Sequence, residues 1–178
     1  MRAVFPVACA LALAAFARPA ARALDDPTIV AIFDAANTFD IETGELALTR
    51  SHTKAVRDLA TQFIHDHTAV RQQGRDLAKK LGVHPTPPAE FALADAHKKT
   101  IADLRTKSGA GFDRAYADAE VAYHQAVIDA IDQTLLPAIK NAELKTLVQK
   151  VGPAFQGHLE AAKQLQKQVG SVARAAGQ

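Results

Sequence analysis

KAVRDLATQFIHDHTAVRQQGRDLAKKLG, residues 54–82, decides the fold. Val56, Ala60, Phe63, His67, Val70, Gly74, Leu77 and Leu81 recur in steps of four and three, a spacing that lines residues along one face of an α-helix. AELKTLVQKVGPAFQGHLEAAKQLQKQVG, residues 142–170, keeps the same rhythm through Leu144, Val148, Val151, Phe155, His158, Ala162, Leu165 and Val169. Each face is apolar apart from one imidazole, His67 in the first and His158 in the second. Burying an unpaired polar group costs roughly 1–3 kcal/mol. Each histidine must therefore be hydrogen-bonded or bound to a metal.

Helical period extends to the rest of the chain, and no stretch alternates in the manner of a strand. Asp26-Pro27 predicts a first helix, with Asp26 as N-cap and the proline at the first helical position. Ile29, Ile32, Ala36, Phe39, Thr43 and Leu46 form its expected stripe, up to about Ser51. Thr53 is the expected cap of the second helix and Gly82 its stop. The connector VHPTPP (83–88) precedes a shorter helix from about Ala89 to Lys107, with Phe91, Ala94, Ile101 and Leu104 inward. SGAG (108–111) is expected to break the chain before a third long helix from Phe112 to about Leu136. Asn141 can cap the last helix, and Pro153, which removes a backbone hydrogen bond inside it, predicts a kink near His158. Two long hairpins joined by a crossover of about 27 residues describe an all-α, ferritin-like four-helix bundle whose crossover carries a short fifth helix.

The first 23 residues read as a signal peptide. Arg2 opens them, an apolar run of 14 residues follows, and Ala21-Arg22-Ala23 offers a small-residue cleavage site. The run falls short of the roughly 20 residues a membrane span requires, and no later segment is long and apolar enough. Cleavage would leave residues 24–178 as one domain, remove the lone Cys9 and take away Arg2, Arg18 and Arg22. The 21 basic residues would fall to 18 against 19 acidic ones, a net charge of −1. Dispersed basic residues and few aromatics leave no footprint for nucleic acid. A periplasmic or secreted location in the bacterial envelope follows, with no membrane span after cleavage. Protein partners stay open, and the alanine-rich helices fit a monomer or a homodimer equally.

The third long helix carries Glu120 and His124, four residues apart and so on one face. His67, His124 and His158 each fall near mid-height of their helices, so three imidazoles converge on one level. Asp40 and Glu42 lie nearest that level on the first helix. Converging imidazoles and carboxylates can hold Zn, Fe, Mn or Cu, which makes His67, His124, His158, Glu120, Glu42 and Asp40 the candidate metal ligands. The di-iron signature Glu-x-x-His is missing, since Glu120 and His124 are one residue too far apart. Asp66 is expected at the edge of the cluster. His65 and His67 lie about 200° apart on a helix and cannot share an ion. His52, His84 and His97 are expected in solvent. No complete catalytic constellation, phosphate loop or nucleotide fingerprint is present.

IETGELA (41–47), FIHDHT (63–68), GFDRAY (111–116) with His124, and Pro153 with His158-Leu159 occur here in one order. In these motifs the chain resembles an exported bacterial family of unknown function, often labelled outer-membrane or periplasmic proteins and built as ferritin-like helical bundles. The resemblance spans about residues 26–169. It implies fold and export, and a polar set matching Asp40 or Glu42, Asp66-His67, His124 and His158; it carries no activity. The expected function is thus a non-enzymatic structural, interaction or envelope-stress protein with a buried His/carboxylate clasp, or alternatively a protein storing or sensing a divalent metal through that cluster.

Overall fold

The computed structural model describes residues 24–175; the expected signal peptide lies outside them. The described residues form helices and connecting turns with no strand: α1 (Asp26–Arg50), α2 (Lys54–Leu81), α3 (Ala92–Arg105), α4 (Gly109–Ala130), a π-helical turn (Ile131–Leu135), the short α5 (Leu136–Ala138) and α6 (Ala142–Ala175). None of these helices is long and apolar enough to cross a membrane.

Contacts at the ends of the helices fix their directions. At one end, the Asp26 carboxylate accepts hydrogen bonds from the backbone N–H groups of Lys140 and Asn141, and Thr86 N–H donates to the Pro27 carbonyl. The start of α1, the end of α2 and the start of α6 therefore lie together. At the other end, Ser51 and Thr53 in the α1–α2 turn both donate to the Asp113 carboxylate near the start of α4. Arg50 there reaches the Arg105 carbonyl at the end of α3. The segment 82–108 thus climbs the full height of the bundle, so α2 and α4 run parallel. Hairpins α1–α2 and α4–α6 pack side by side, with α2 against α6, α1 against α4, and α3 covering α1 and α4.

Several boundaries differ from the sequence-based expectation for identifiable reasons. Asp25, rather than Asp26, caps α1 by accepting from Thr28 N–H, which frees Asp26 to bind the α6 turn. Thr53 occupies the N-cap of α2, but its hydroxyl is taken by Asp113 and makes no capping bond. The chain breaks at SGAG as expected, but α4 takes up most of that motif: it begins at Gly109, whose φ of 51° supplies the turn, rather than at Phe112. The α-helical part of α4 stops at Ala130, and the π-helical turn carries the chain on, burying both Ile131 and Leu135. Gly82, in the left-handed region at φ 65°, ends α2 and Asn141 caps α6 as expected. α6 runs helical through Pro153.

The apolar core is split in two. One half gathers Ile29, Phe33, Val127, Ile131, Val148 and Phe155; the other gathers Val56, Phe63, Phe112, Tyr116, Leu165 and Val169. Between them at mid-height lies a buried polar layer of Asn37, Asp40, His67, Glu120, His124 and His158.

Candidate metal centre

Each histidine reaches the layer from its own helix. His67 comes from α2, His124 from α4 and His158 from α6, with exposures of 1%, 0% and 6%. Asp40 of α1 and Glu120 of α4, each 1% exposed, complete it. The rings pack closely, with centroids 5.0 Å apart for His67–His158, 5.5 Å for His124–His158 and 5.7 Å for His67–His124. Phe63 lies 4.4 Å from the His158 ring and 4.9 Å from the His124 ring, and Phe155 lies 5.2 Å from the His67 ring. These two phenylalanines wall the layer off from water on its apolar sides.

Hydrogen bonds on the outer side of each ring determine which nitrogen carries the proton. Asn37 uses its amide nitrogen to donate to the Phe33 carbonyl, so its oxygen is left to accept from His67 Nδ1–H at 2.9 Å. His124 Nδ1–H donates to the Glu120 carbonyl at 3.0 Å. His158 Nε2–H donates to Asp66 Oδ2 at 3.1 Å. A neutral imidazole has one donor and one acceptor nitrogen, so His67 Nε2, His124 Nε2 and His158 Nδ1 all present bare lone pairs. All three face inward. His158 Nδ1 is 3.2 Å from His67 Nε2, and Asp40 Oδ2 is 3.4 Å from both His67 Nε2 and His124 Nε2.

That arrangement leaves buried polar atoms without hydrogen bonds. Both oxygens of Asp40 and His124 Nε2 have no hydrogen-bond partner, and the Glu120 carboxyl and the Tyr116 hydroxyl have none beyond each other. Buried polar groups are otherwise paired in nearly all cases, so this gathering constitutes a concentrated cost. Burial pushes the Asp40 carboxyl up to about 8, and burial with the neighbouring Asp40 charge holds Glu120 well above the usual carboxylate range. Burial first, then repulsion from His124 and His158, pushes His67 down to about 2. Burial pushes His124 down to about 4 and also lowers His158, against the pull of Asp66. The rings are therefore neutral and ready to act as ligands at neutral pH. Asp66, at the partly exposed rim, lies below its ordinary value because hydrogen bonds from His65 and His158 outweigh its own burial.

The distances fit a small cation. Four ligand atoms at about 2.1 Å in a tetrahedron lie about 3.4 Å from one another. Of the six separations in such a set, the three for His158–His67, Asp40–His67 and Asp40–His124, at 3.2, 3.4 and 3.4 Å, match that edge. One ligand atom from each of His67, His124 and His158 lies within 4.8 Å of the others, and the same holds for Asp40, Glu120 and His124.

Glu42 stands apart from this layer. Two residues from Asp40 on α1, it is turned about 200° away, half-exposed, and accepts from His97 Nε2 at 2.8 Å. His97 departs from its expected place in solvent: it is buried, stacked on Phe39 with centroids 4.4 Å apart. Asn37 escaped sequence reasoning. Its signal was a lone amide three residues before Asp40, hence on the same helical face.

Residues 11–165 match the family model described as "Domain of unknown function (DUF4142)", and the chain belongs to that family. None of the curated proteins matches it in sequence. Among solved structures, "CopM in the Cu(II)-bound form" is similar in fold, with a TM-score of 0.62 at 16% identity, over 82% of this chain and 98% of that one.

Proposed function

We propose that this protein binds a divalent transition-metal ion in the polar layer of its bundle, with His67 Nε2, His124 Nε2, His158 Nδ1 and an Asp40 oxygen as ligands. The observation that carries this reading is the convergence of three lone-pair nitrogens and a carboxylate, each ring held in the required tautomer by a bond on its far side. Outer partners of this kind are what metal-binding histidines ordinarily have. A clasp made only of protein groups accounts for the outer bonds. It leaves His67 Nε2 and His158 Nδ1, two acceptor nitrogens, facing each other at 3.2 Å.

Nitrogen-rich ligand sets with one carboxylate and no sulfur suit Cu(II) and Zn(II), with Fe(II) and Mn(II) further down the affinity order. Cu(II) is the ion to test first, since a protein of similar fold has been seen in its Cu(II)-bound form. The ion would supply the positive charge that the buried carboxylates lack. Storage or sensing of that ion is the role we infer, in the cell envelope after removal of residues 1–23 and within a single ferritin-like domain, residues 24–178. The full-height crossover that makes α2 and α4 parallel supports the ferritin-like assignment.

Metal analysis of the protein purified without chelators tests the reading. One equivalent of metal is expected per chain, lost in His67→Ala and His158→Ala variants that keep their helical circular dichroism. Metal-free wild-type protein that also fails to take up added Cu(II), Zn(II), Fe(II) or Mn(II) would refute it.

A further inference from the structure

A pocket of about 180 Å³ lies between α1, α3 and α4. Its floor includes Asp40 and Glu120, while none of His67, His124 or His158 lines it. Its walls are kept open by small side chains, Ala119 and Ala126 of α4 among them. Such a space holds several waters, each needing about 10–15 Å³ of this kind of volume. Glu120 lines the pocket with its carboxyl buried and no partner but the Tyr116 hydroxyl. His97 lines this pocket and also an outer groove that contains Glu42 and Glu45. The ring of His97, stacked on Phe39 and bonded to Glu42, therefore stands between solvent and the pocket floor.

We propose that this pocket is the loading route for the metal site: a hydrated divalent cation passes His97, lands on Glu120 and then moves to the imidazole ligands. The proposal rests on the metal-binding reading above and adds a direction and a first contact to it. Carboxylates line the pocket and the three imidazoles lie beyond its lining, so a cation arriving through it meets hard oxygen donors while it still holds water. The nitrogen ligands then replace that water deeper in the bundle. On the opposite flank, His158 is covered by Phe63 and tied to Asp66 at the partly exposed rim.

Stopped-flow mixing of metal-free protein with Co(II), followed by its visible d–d absorption, reads the route directly. Thr100→Phe and Ala96→Phe fill the pocket from the α3 side, and neither residue belongs to the ligand set. Either plug is expected to slow association and dissociation by the same factor, tenfold or more, with Kd and the final spectrum unchanged. Two plugs are used so that one misfolded variant does not decide the matter. Glu120→Gln is expected to slow association about tenfold while leaving one equivalent bound, and His97→Ala to accelerate it. Wild-type rates in the folded plugs and in Glu120→Gln would overturn the route while leaving the metal site intact. Failure of wild-type protein to bind Co(II) and also Cu(II), Zn(II), Fe(II) and Mn(II) would overturn the metal reading, and the route with it.

Discussion

Asn37 and Asp40 show how much of the site depends on single atoms. Asn37 touches no proposed ion, yet its oxygen fixes the proton of His67 on Nδ1. Asn37→Leu is expected to weaken metal binding by about 10- to 100-fold, the usual range for loss of an outer partner, measured by competition with a chelating dye. Asp40 separates the two readings of the cluster. Because burial keeps its carboxyl largely protonated at neutral pH, Asp40→Asn is expected to change the stability of the metal-free protein at pH 7 by less than about 1 kcal/mol, while sharply reducing metal affinity. A charged clasp would instead lose about 3–5 kcal/mol on removal of one partner, so denaturant melts of the metal-free variant distinguish them. Binding also requires Asp40 to release its proton. Affinity is therefore expected to rise about tenfold per pH unit below about 8 and level off above it, and about a hundredfold per unit if Glu120 ionises in the same step.

At the scale of the helix, the α2 and α6 seams were legible because each buries one continuous face, and steps of four and three state that face plainly. Helix α1 was harder to read. It packs against α2 and α4 on one side and is covered by α3 on another, where Phe39 meets Phe91 and His97. With apolar residues on both sides, the expected stripe combined Ile29, Ala36 and Thr43, which are buried, with Ile32, Phe39 and Leu46, which are only partly so, whereas the central face runs through Ile29, Phe33, Ala36, Asp40 and Ala47. That rotation is why Asp40 and Glu42 could not be told apart, and why His97, covered by its neighbours, was expected in solvent. The histidines of α2, α4 and α6 came through because an imidazole in an apolar seam is conspicuous; the Asn37 and Glu120-carbonyl bonds that orient them depend on tertiary geometry that no spacing encodes. Close approach of α1 and α2 has its own test. A Cβ on Gly74 would lie 2.7 Å from Phe33 Cε1, so Gly74→Val is expected to destabilise the fold by about 2 kcal/mol through overpacking, read as a lower denaturation midpoint with an unchanged m-value.

For the whole molecule, a polar layer between two apolar half-cores makes stability depend on both pH and metal. In the metal-free fold the three buried histidines bind protons less readily than in the unfolded chain. Their contribution is complete above about pH 6.5 and is lost as the pH falls below it. Asp40 and Glu120 have the opposite sign: their raised carboxyl pKa values favour the fold below the ordinary carboxylate range, and that contribution is lost as pH rises from about 4, for Asp40 until it ionises at about 8. Thermal melts of metal-free protein are thus expected to peak near pH 6.5 and decline on both sides. A bound cation would remove the alkaline decline by neutralising the carboxylates. It would also stabilise the fold by about 2.7 kcal/mol at a free concentration of 100 Kd.

Pulsed electron paramagnetic resonance of the Cu(II)-loaded protein tests the convergence of the three rings most directly, because the remote imidazole nitrogens modulate the copper signal and can be counted. Three bound imidazoles are expected in the wild type and two in His158→Ala. A signal without imidazole modulation, or one unchanged by removing His67, His124 and His158 in turn, would contradict the assignment.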